Sequence, residues 1–173
     1  MTVTIEEVKK FWDDRPCNVR HSQKDIGTKE YFDEVERKRY TAEPHIPLFA
    51  DFESCKGKKV LEVGCGMATE GINFVKQGAE YTGTDLSAES LELAKKRFEV
   101  YNKEGKFYAG NAEELTSFVP VEVYDLIYSF GVIHHSPNPS KIFDEISEYM
   151  DDNSILKVML YAKDSWKNYM IEA

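Results

Sequence analysis

The sequence predicts an α/β fold: a doubly wound, largely parallel sheet of about five strands behind a helical N-terminal segment. Three observations carry that expectation. From Val60 to Tyr161, short apolar runs alternate with amphipathic stretches of helical period. The first run, Val60-Leu61-Glu62-Val63, stops at Gly64-Cys65-Gly66, where a strand must turn sharply and leave its backbone bare. The second run ends on an acid, Asp85.

In chain order, residues 1–56 read as a helical cap and residues 57–173 as the sheet-bearing domain. A first helix has Val8, Phe11 and Trp12 among charged residues and breaks at Arg15-Pro16-Cys17-Asn18. A second is expected over Lys29 to Tyr40, with Tyr31, Phe32, Val35 and Tyr40 near one face, ended by Glu43-Pro44. The basic run Arg37-Lys38-Arg39 reads as its solvated face, and a short third helix is expected over Pro47 to Phe52. Val60 to Val63 is the first strand, apolar enough to be buried on both faces. Thr69 to Gln77 is a helix stopped by Gly78. Tyr81 to Thr84 is the second strand, followed by a helix capped by Ser87 with Leu91, Ala94, Phe98 and Tyr101 on one stripe. Lys106 to Ala109 is the third strand, Asn111 to Ser117 a short helix, and Tyr124 to Phe130 the fourth strand. Asn138-Pro139 opens a helix whose core face is Ile142, Phe143, Ile146, Tyr149 and Met150. Ile155 to Tyr161 is the fifth strand, and Ser165 to Ile171 resembles the start of another helix.

Composition narrows the function classes. Of the 173 residues, 42% are hydrophobic and 31% charged, the balance of a globular chain of about one domain. No apolar run is long enough for a membrane span, and the N-terminus lacks the basic and apolar regions of a signal peptide. Three cysteines at no metal-ligand spacing read as reduced thiols, the pattern of a cytoplasmic protein. The net charge of −9 opposes binding to a nucleic-acid backbone.

A glycine bend followed by an acid on the next strand tip suits a nucleoside-containing cofactor, because a carboxylate can accept from both hydroxyls of a ribose. A dinucleotide needs a third glycine and a helix N-terminus free for pyrophosphate. Here those positions are Thr69 and Glu70, and a carboxylate in the first helical turn repels phosphate. An acid two residues before the first glycine, then Gly-x-Gly-x-Ala, is the pattern of an S-adenosylmethionine (SAM) loop; Glu62, Gly64, Cys65, Gly66 and Ala68 fit it. SAM carries a sulfonium and an ammonium and no phosphate, so acids near the loop are no obstacle.

From Lys58 to Tyr161, roughly three fifths of its length, the chain resembles small-molecule class I SAM-dependent methyltransferases, in the branch of the ubiquinone and menaquinone methylases. The motifs "LEVGCGMA", "GTDLSAESLELAKKR", "GNAEEL" and "YDLIYSFGVIHHSPNP" come in the family's order. The resemblance implies a Rossmann-like sheet, SAM as methyl donor and S-adenosylhomocysteine (SAH) as product. It places Asp85 on the ribose hydroxyls, Leu86 against adenine, and Asn111 with Ala112 at the adenine edge, where Asn111 replaces the family's aspartate. It also puts Ser129 and Phe130, at the end of the fourth strand, beside the methyl-transfer path. The family's sheet has seven strands, and strands six and seven are missing from this sequence. The fifth strand is therefore expected to be an open edge, which implies a truncated product, a proteolytic fragment, or a chain whose edge a homo-oligomer or another partner covers.

The acceptor is expected to be a small molecule, not nucleic acid. The sequence at the end of the fourth strand, Ser129-Phe130-Gly131-Val132, lacks the stretch that DNA amino-methylases need. His134 and His135 follow that strand on the rim where an acceptor arrives, and either could take a proton near neutral pH. No metal site is expected, since adjacent histidines on a turn diverge. Too few cysteines converge for thiol-dependent methylation. The family resemblance makes the N-terminal helices a lid, with Trp12, Arg20, His21, Tyr31, Arg37, Tyr40 and His45 as candidate lining; ordinary packing is the competing account of each. The alternative is a SAM-binding domain without catalysis or an assembly partner, with a protein or nucleic-acid methylase as the third reading.

Overall fold

A computed structural model describes residues 4–162. Its strands are β1 (Lys59–Val63), β2 (Glu80–Asp85), β3 (Lys106–Ala109), β4 (Leu126–Phe130) and β5 (Ile155–Met159). All pair in parallel in the order β3-β2-β1-β4-β5, so the order reverses between β1 and β4. Side chains alternate across each strand and feed two cores. Val60, Tyr81, Leu126 and Tyr128 pack on one face with Ile72, Phe74, Leu91, Ala94 and Phe98. Leu61, Val63 and Ile127 pack on the other with Leu115, Ile142, Ile146 and Tyr149. Helices thus cover both faces, which makes a doubly wound, Rossmann-like sheet.

The helices are α1 (Ile5–Asp14), α2 (Lys29–Ala42), α3 (Ile46–Ala50), α4 (Thr69–Lys76), α5 (Ala88–Val100) and α6 (Pro139–Ser147). Ser87 caps α5, its hydroxyl accepting from the Ser90 amide at 3.1 Å. Gly78 ends α4 at φ +95°, a conformation that glycine adopts freely. The α2 residues Tyr31, Phe32 and Val35 are buried against Met67. Helix α1 has no buried residue and begins with a capping box between Thr4 and Glu7.

Several boundaries differ from expectation. Tyr124 and Asp125 lie outside β4: the Tyr124 amide donates to the Tyr149 carbonyl and that of Asp125 to Lys59. The ladder of β5 ends at Met159, leaving Leu160 and Tyr161 beyond it. Phe143 sits on the flank of α6, 36% exposed, because Ile142, Ile146 and Tyr149 already fill the inward stripe. The segment Ala112–Ser117 is a 3-10 element kinked at Glu114, capped by Asn111. Asn138 precedes Pro139 as expected, yet its side chain caps no backbone amide; it accepts from the Ser140 hydroxyl. The expected helix over 165–171 lies outside the described residues.

Candidate functional site

The glycine bend at the end of β1 is built by backbone conformations that few side chains tolerate. Gly64 lies at φ +80°, and a Cβ there would come within 2.3 Å of Val132, in the loop after β4. Both the Gly64 and Cys65 amides donate to the Thr84 carbonyl, at 2.8 and 2.9 Å, tying the bend to β2. Gly66 lies at φ +54° with open space where a Cβ would point. Ala68 occupies the left-handed region at φ +51°, costly for a residue with a Cβ. The bend therefore presents bare backbone at a cleft mouth.

Asp85 at the tip of β2 faces this backbone. Its Oδ2 accepts from the Gly66 amide at 2.7 Å and its Oδ1 from the Ser87 amide at 2.9 Å. Burial raises its pKa, and those amide hydrogen bonds oppose the rise. Around the pair opens a cavity at the carboxyl ends of β1, β2 and β4, where a doubly wound sheet places its ligand. Glu62, Gly64, Cys65, Gly66, Asp85, Leu86, Asn111, Ala112, Phe130 and His135 all line it. The Asn111 side-chain oxygen accepts from the Glu113 amide at 3.0 Å, which fixes the side chain and uses one of two lone pairs. Ser129 is buried behind the wall, its hydroxyl donating to the Val63 carbonyl at 2.9 Å.

One wall is acidic and contains a partner that sequence reading missed. Glu62 is buried, and the Tyr81 hydroxyl donates to it at 2.5 Å. Burial first, and then the charge of Glu70, push its carboxyl well above the usual range. Arg39 is no solvated residue: it grips Glu70 with two hydrogen bonds, at 2.7 and 3.2 Å, and lies over the Phe130 ring. Burial opposes its charge, but Glu70 more than offsets this and raises its pKa. Nothing in the local run Arg37-Lys38-Arg39 distinguishes its inward member; the helical phase against α4 does.

Another part of the wall is apolar and aromatic. Ile5, Val8 and Trp12 of α1 roof the cavity, with the Trp12 ring 5.5 Å from that of His135. Tyr161 also lines it, and its ring lies 4.5 Å from His134. His134 stands behind His135, ring centroids 4.1 Å apart, with both nitrogens buried and unpartnered among the described residues. Burial, then His135, pushes it down to about 4; burial also lowers His135. Tyr31, Arg37 and Tyr40 are not on the cavity wall. Tyr31 donates to the Val19 carbonyl, Arg37 is an exposed ion-pair partner of Glu34, and the Tyr40 hydroxyl contacts the Thr69 carbonyl and the Asn73 amide. Arg20, His21 and His45 are likewise absent from it, whereas Trp12 is on it.

A bare glycine bend facing a carboxylate across two parallel strand tips is the arrangement found where nucleoside-cofactor folds bind their ligand. The family follows from comparison: residues 54–170 match the methyltransferase domain family, and the chain belongs to it. A ubiquinone biosynthesis O-methyltransferase of Photobacterium profundum is 29% identical over 97 residues, 56% of this chain and 41% of that protein. The enzyme of the same name from Dechloromonas aromatica is 34% identical over 89 residues, 51% and 38% of the two chains. The chain thus spans about two fifths of the length of these relatives. Magnesium protoporphyrin IX methyltransferase of Synechocystis, solved with bound SAH, has the same fold: TM-score 0.65 at 18% identity, over 95% of this chain and 75% of that one.

Proposed function

We propose that this chain holds SAM in the cavity and serves transfer of its methyl group to a small-molecule acceptor, leaving SAH. The observation that carries the reading is the junction of Gly66 and Asp85: open backbone beside a carboxylate, at the reversal point of a parallel sheet. The charges on the wall fit this group better than a phosphate-bearing one. Among the described lining residues, Glu62, Glu70 and Asp85 accompany one guanidinium, Arg39, which is already paired with Glu70. Such a wall favours an ammonium and a sulfonium and repels pyrophosphate.

In this reading Asp85 holds the ribose hydroxyls, while Leu86, Asn111 and Ala112 enclose the adenine. The bend at Gly64, Cys65 and Gly66 lies along the methionine portion, with Glu62 toward its ammonium. When bound, SAM supplies an electrophilic methyl group. Ser129 keeps the tips of β1 and β4 together through the Val63 carbonyl, and Phe130 forms the floor. Helix α1 excludes water from above and brings Trp12 against His135. His135, kept neutral by burial, accepts a proton from a hydroxyl or amine acceptor. His134, behind it and not on the wall, supports its ring.

Isothermal titration with SAM and SAH tests the binding, and a methyl-transfer screen over sugars, quinones and amines tests the chemistry. Binding with turnover is expected. No binding by either compound sinks the reading; binding without transfer across the screen selects the non-catalytic alternative. The outer edge of β5 lacks a ladder partner among the described residues, and a second copy or another chain is the proposed cover. Sedimentation of the protein alone separates these, a dimer pointing to the first.

A further inference from the structure

Among the described residues, the largest fully buried side chain is a cation with no carboxylate hydrogen-bonded to it. Arg97, on α5, is 0% exposed and takes no part in the chemistry proposed above. Its Nη1 donates to the Met67 carbonyl at 3.2 Å and to the Thr69 hydroxyl; its Nη2 donates to the Phe32 carbonyl at 3.2 Å. Its guanidinium lies 4.7 Å over the Phe32 ring, and its Nε is unpartnered among the described residues. Among the described residues its hydrogen bonds go to carbonyls and a hydroxyl, with Glu36 and Glu70 acting on the charge without bonding to it; such a buried charge is costly, and an apolar side chain would fill the same space more cheaply. Packing alone does not account for an arginine here.

Its partners are what the arginine serves. Met67 and Thr69 flank Ala68, the alanine held at φ +51° in the turn that follows Gly66. That conformation persists only if the surroundings over-determine it. The Ala68 amide is bonded to the Cys65 carbonyl at 2.8 Å, which fixes one side of the residue. Arg97 fixes the peptide before it and the side chain after it, and anchors both to the α2 backbone at Phe32. We propose that Arg97 is a positioning residue that holds the Met67-Ala68-Thr69 turn, and with it the bare Gly66 backbone, in binding geometry, and couples that geometry to α2.

The inference rests on the SAM reading for one of its two readouts only. The first needs no ligand. In Arg97→Met, amide hydrogen exchange at Gly66 and Ala68 is expected to accelerate by at least about tenfold relative to amides of β1, the ratio that corresponds to about 1.4 kcal/mol. The second is titration with SAM well below the melting temperature. Arg97→Met is expected to weaken SAM by about tenfold or more, charge-assisted hydrogen bonds being the interactions lost. Adding Ala68→Gly, which adopts positive φ without strain, is expected to restore part of that affinity. Arg97→Lys keeps the charge but cannot reach three acceptors at once, and serves where Arg97→Met does not fold. Unchanged exchange at Gly66 and Ala68 in a folded variant overturns the proposal. So does wild-type SAM affinity in that variant, or the absence of any rescue by Ala68→Gly. Failure of the wild-type chain to bind SAM overturns the cofactor reading instead, and leaves the exchange experiment standing.

Discussion

At the residue scale, three carboxyl or imidazole groups differ in what holds them. Asp85 is gripped by two backbone amides and open toward the cavity. Asp85→Ala should weaken SAM binding by about 1–3 kcal/mol in a titration, the range for losing hydrogen bonds to a charged group; unchanged affinity removes its ribose role. Glu62 is buried beside Glu70 with its pKa raised, so it binds a proton more readily than a free glutamate. A cationic ligand reverses that preference, and SAM binding should release protons and tighten as pH rises. Titration in buffers of different ionisation enthalpy reads the release, and Glu62→Gln should abolish it. His134 has the opposite linkage. Its folded pKa, about 4, lies below its ordinary 6.5, so the unfolded chain takes up the proton first. Its share of stability is intact above pH 6.5 and fades as pH falls toward 4. Urea unfolding at pH 7 and pH 5 should show a smaller loss for His134→Phe than for wild type; equal losses would place the ring in water.

At the element scale, the contrast is between α1 and the rest. Helices α2, α4, α5 and α6 each bury residues in a core, whereas α1 buries none and is held by its cap, by contacts with α5 and by the cavity lining. Short helices of this kind depend on their caps. Thr4→Ala removes the Thr4 hydroxyl that accepts from the Glu7 amide, one of the two capping-box bonds, at a cost of about 1 kcal/mol. Exchange of α1 amides should accelerate while the melting temperature of the sheet stays put, and SAM should bind more weakly if α1 roofs the site. A parallel fall in melting temperature would mean that α1 is part of the main cooperative unit.

At the scale of the whole molecule, the cavity joins segments distant in sequence: α1, the β1 bend, the β2 tip, Asn111 and the loop after β4. A ligand there bridges them all and binds only the folded state. At about 100 times its Kd, SAM should add about 2.7 kcal/mol to stability and raise the unfolding temperature in proportion to the logarithm of its concentration. SAH should do the same, and a dinucleotide should not; the reverse order would replace the cofactor reading.

How much of this was legible depended on the range of the interaction. The strands, the glycine bend, Asp85 and the cap at Ser87 are local: apolar runs, a residue without Cβ and a hydroxyl at a helix start act on their own neighbours. Those features fixed the sheet, and with it the end at which a ligand enters. What the chain could not show by itself is which charged side chain turns inward. Arg39 sits beside Arg37 and Lys38 in a run that reads as solvated, and only the packing of α2 on α4 brings it to Glu70. Arg97 looks like an ordinary helix cation, yet folding buries it among the Met67 and Phe32 carbonyls. Tyr31, Arg37 and Tyr40 carried suitable chemistry but fell outside the wall for the same reason. Periodicity tells which residues share a face; only the tertiary arrangement decides what that face meets, because a buried charge is settled by partners far along the chain.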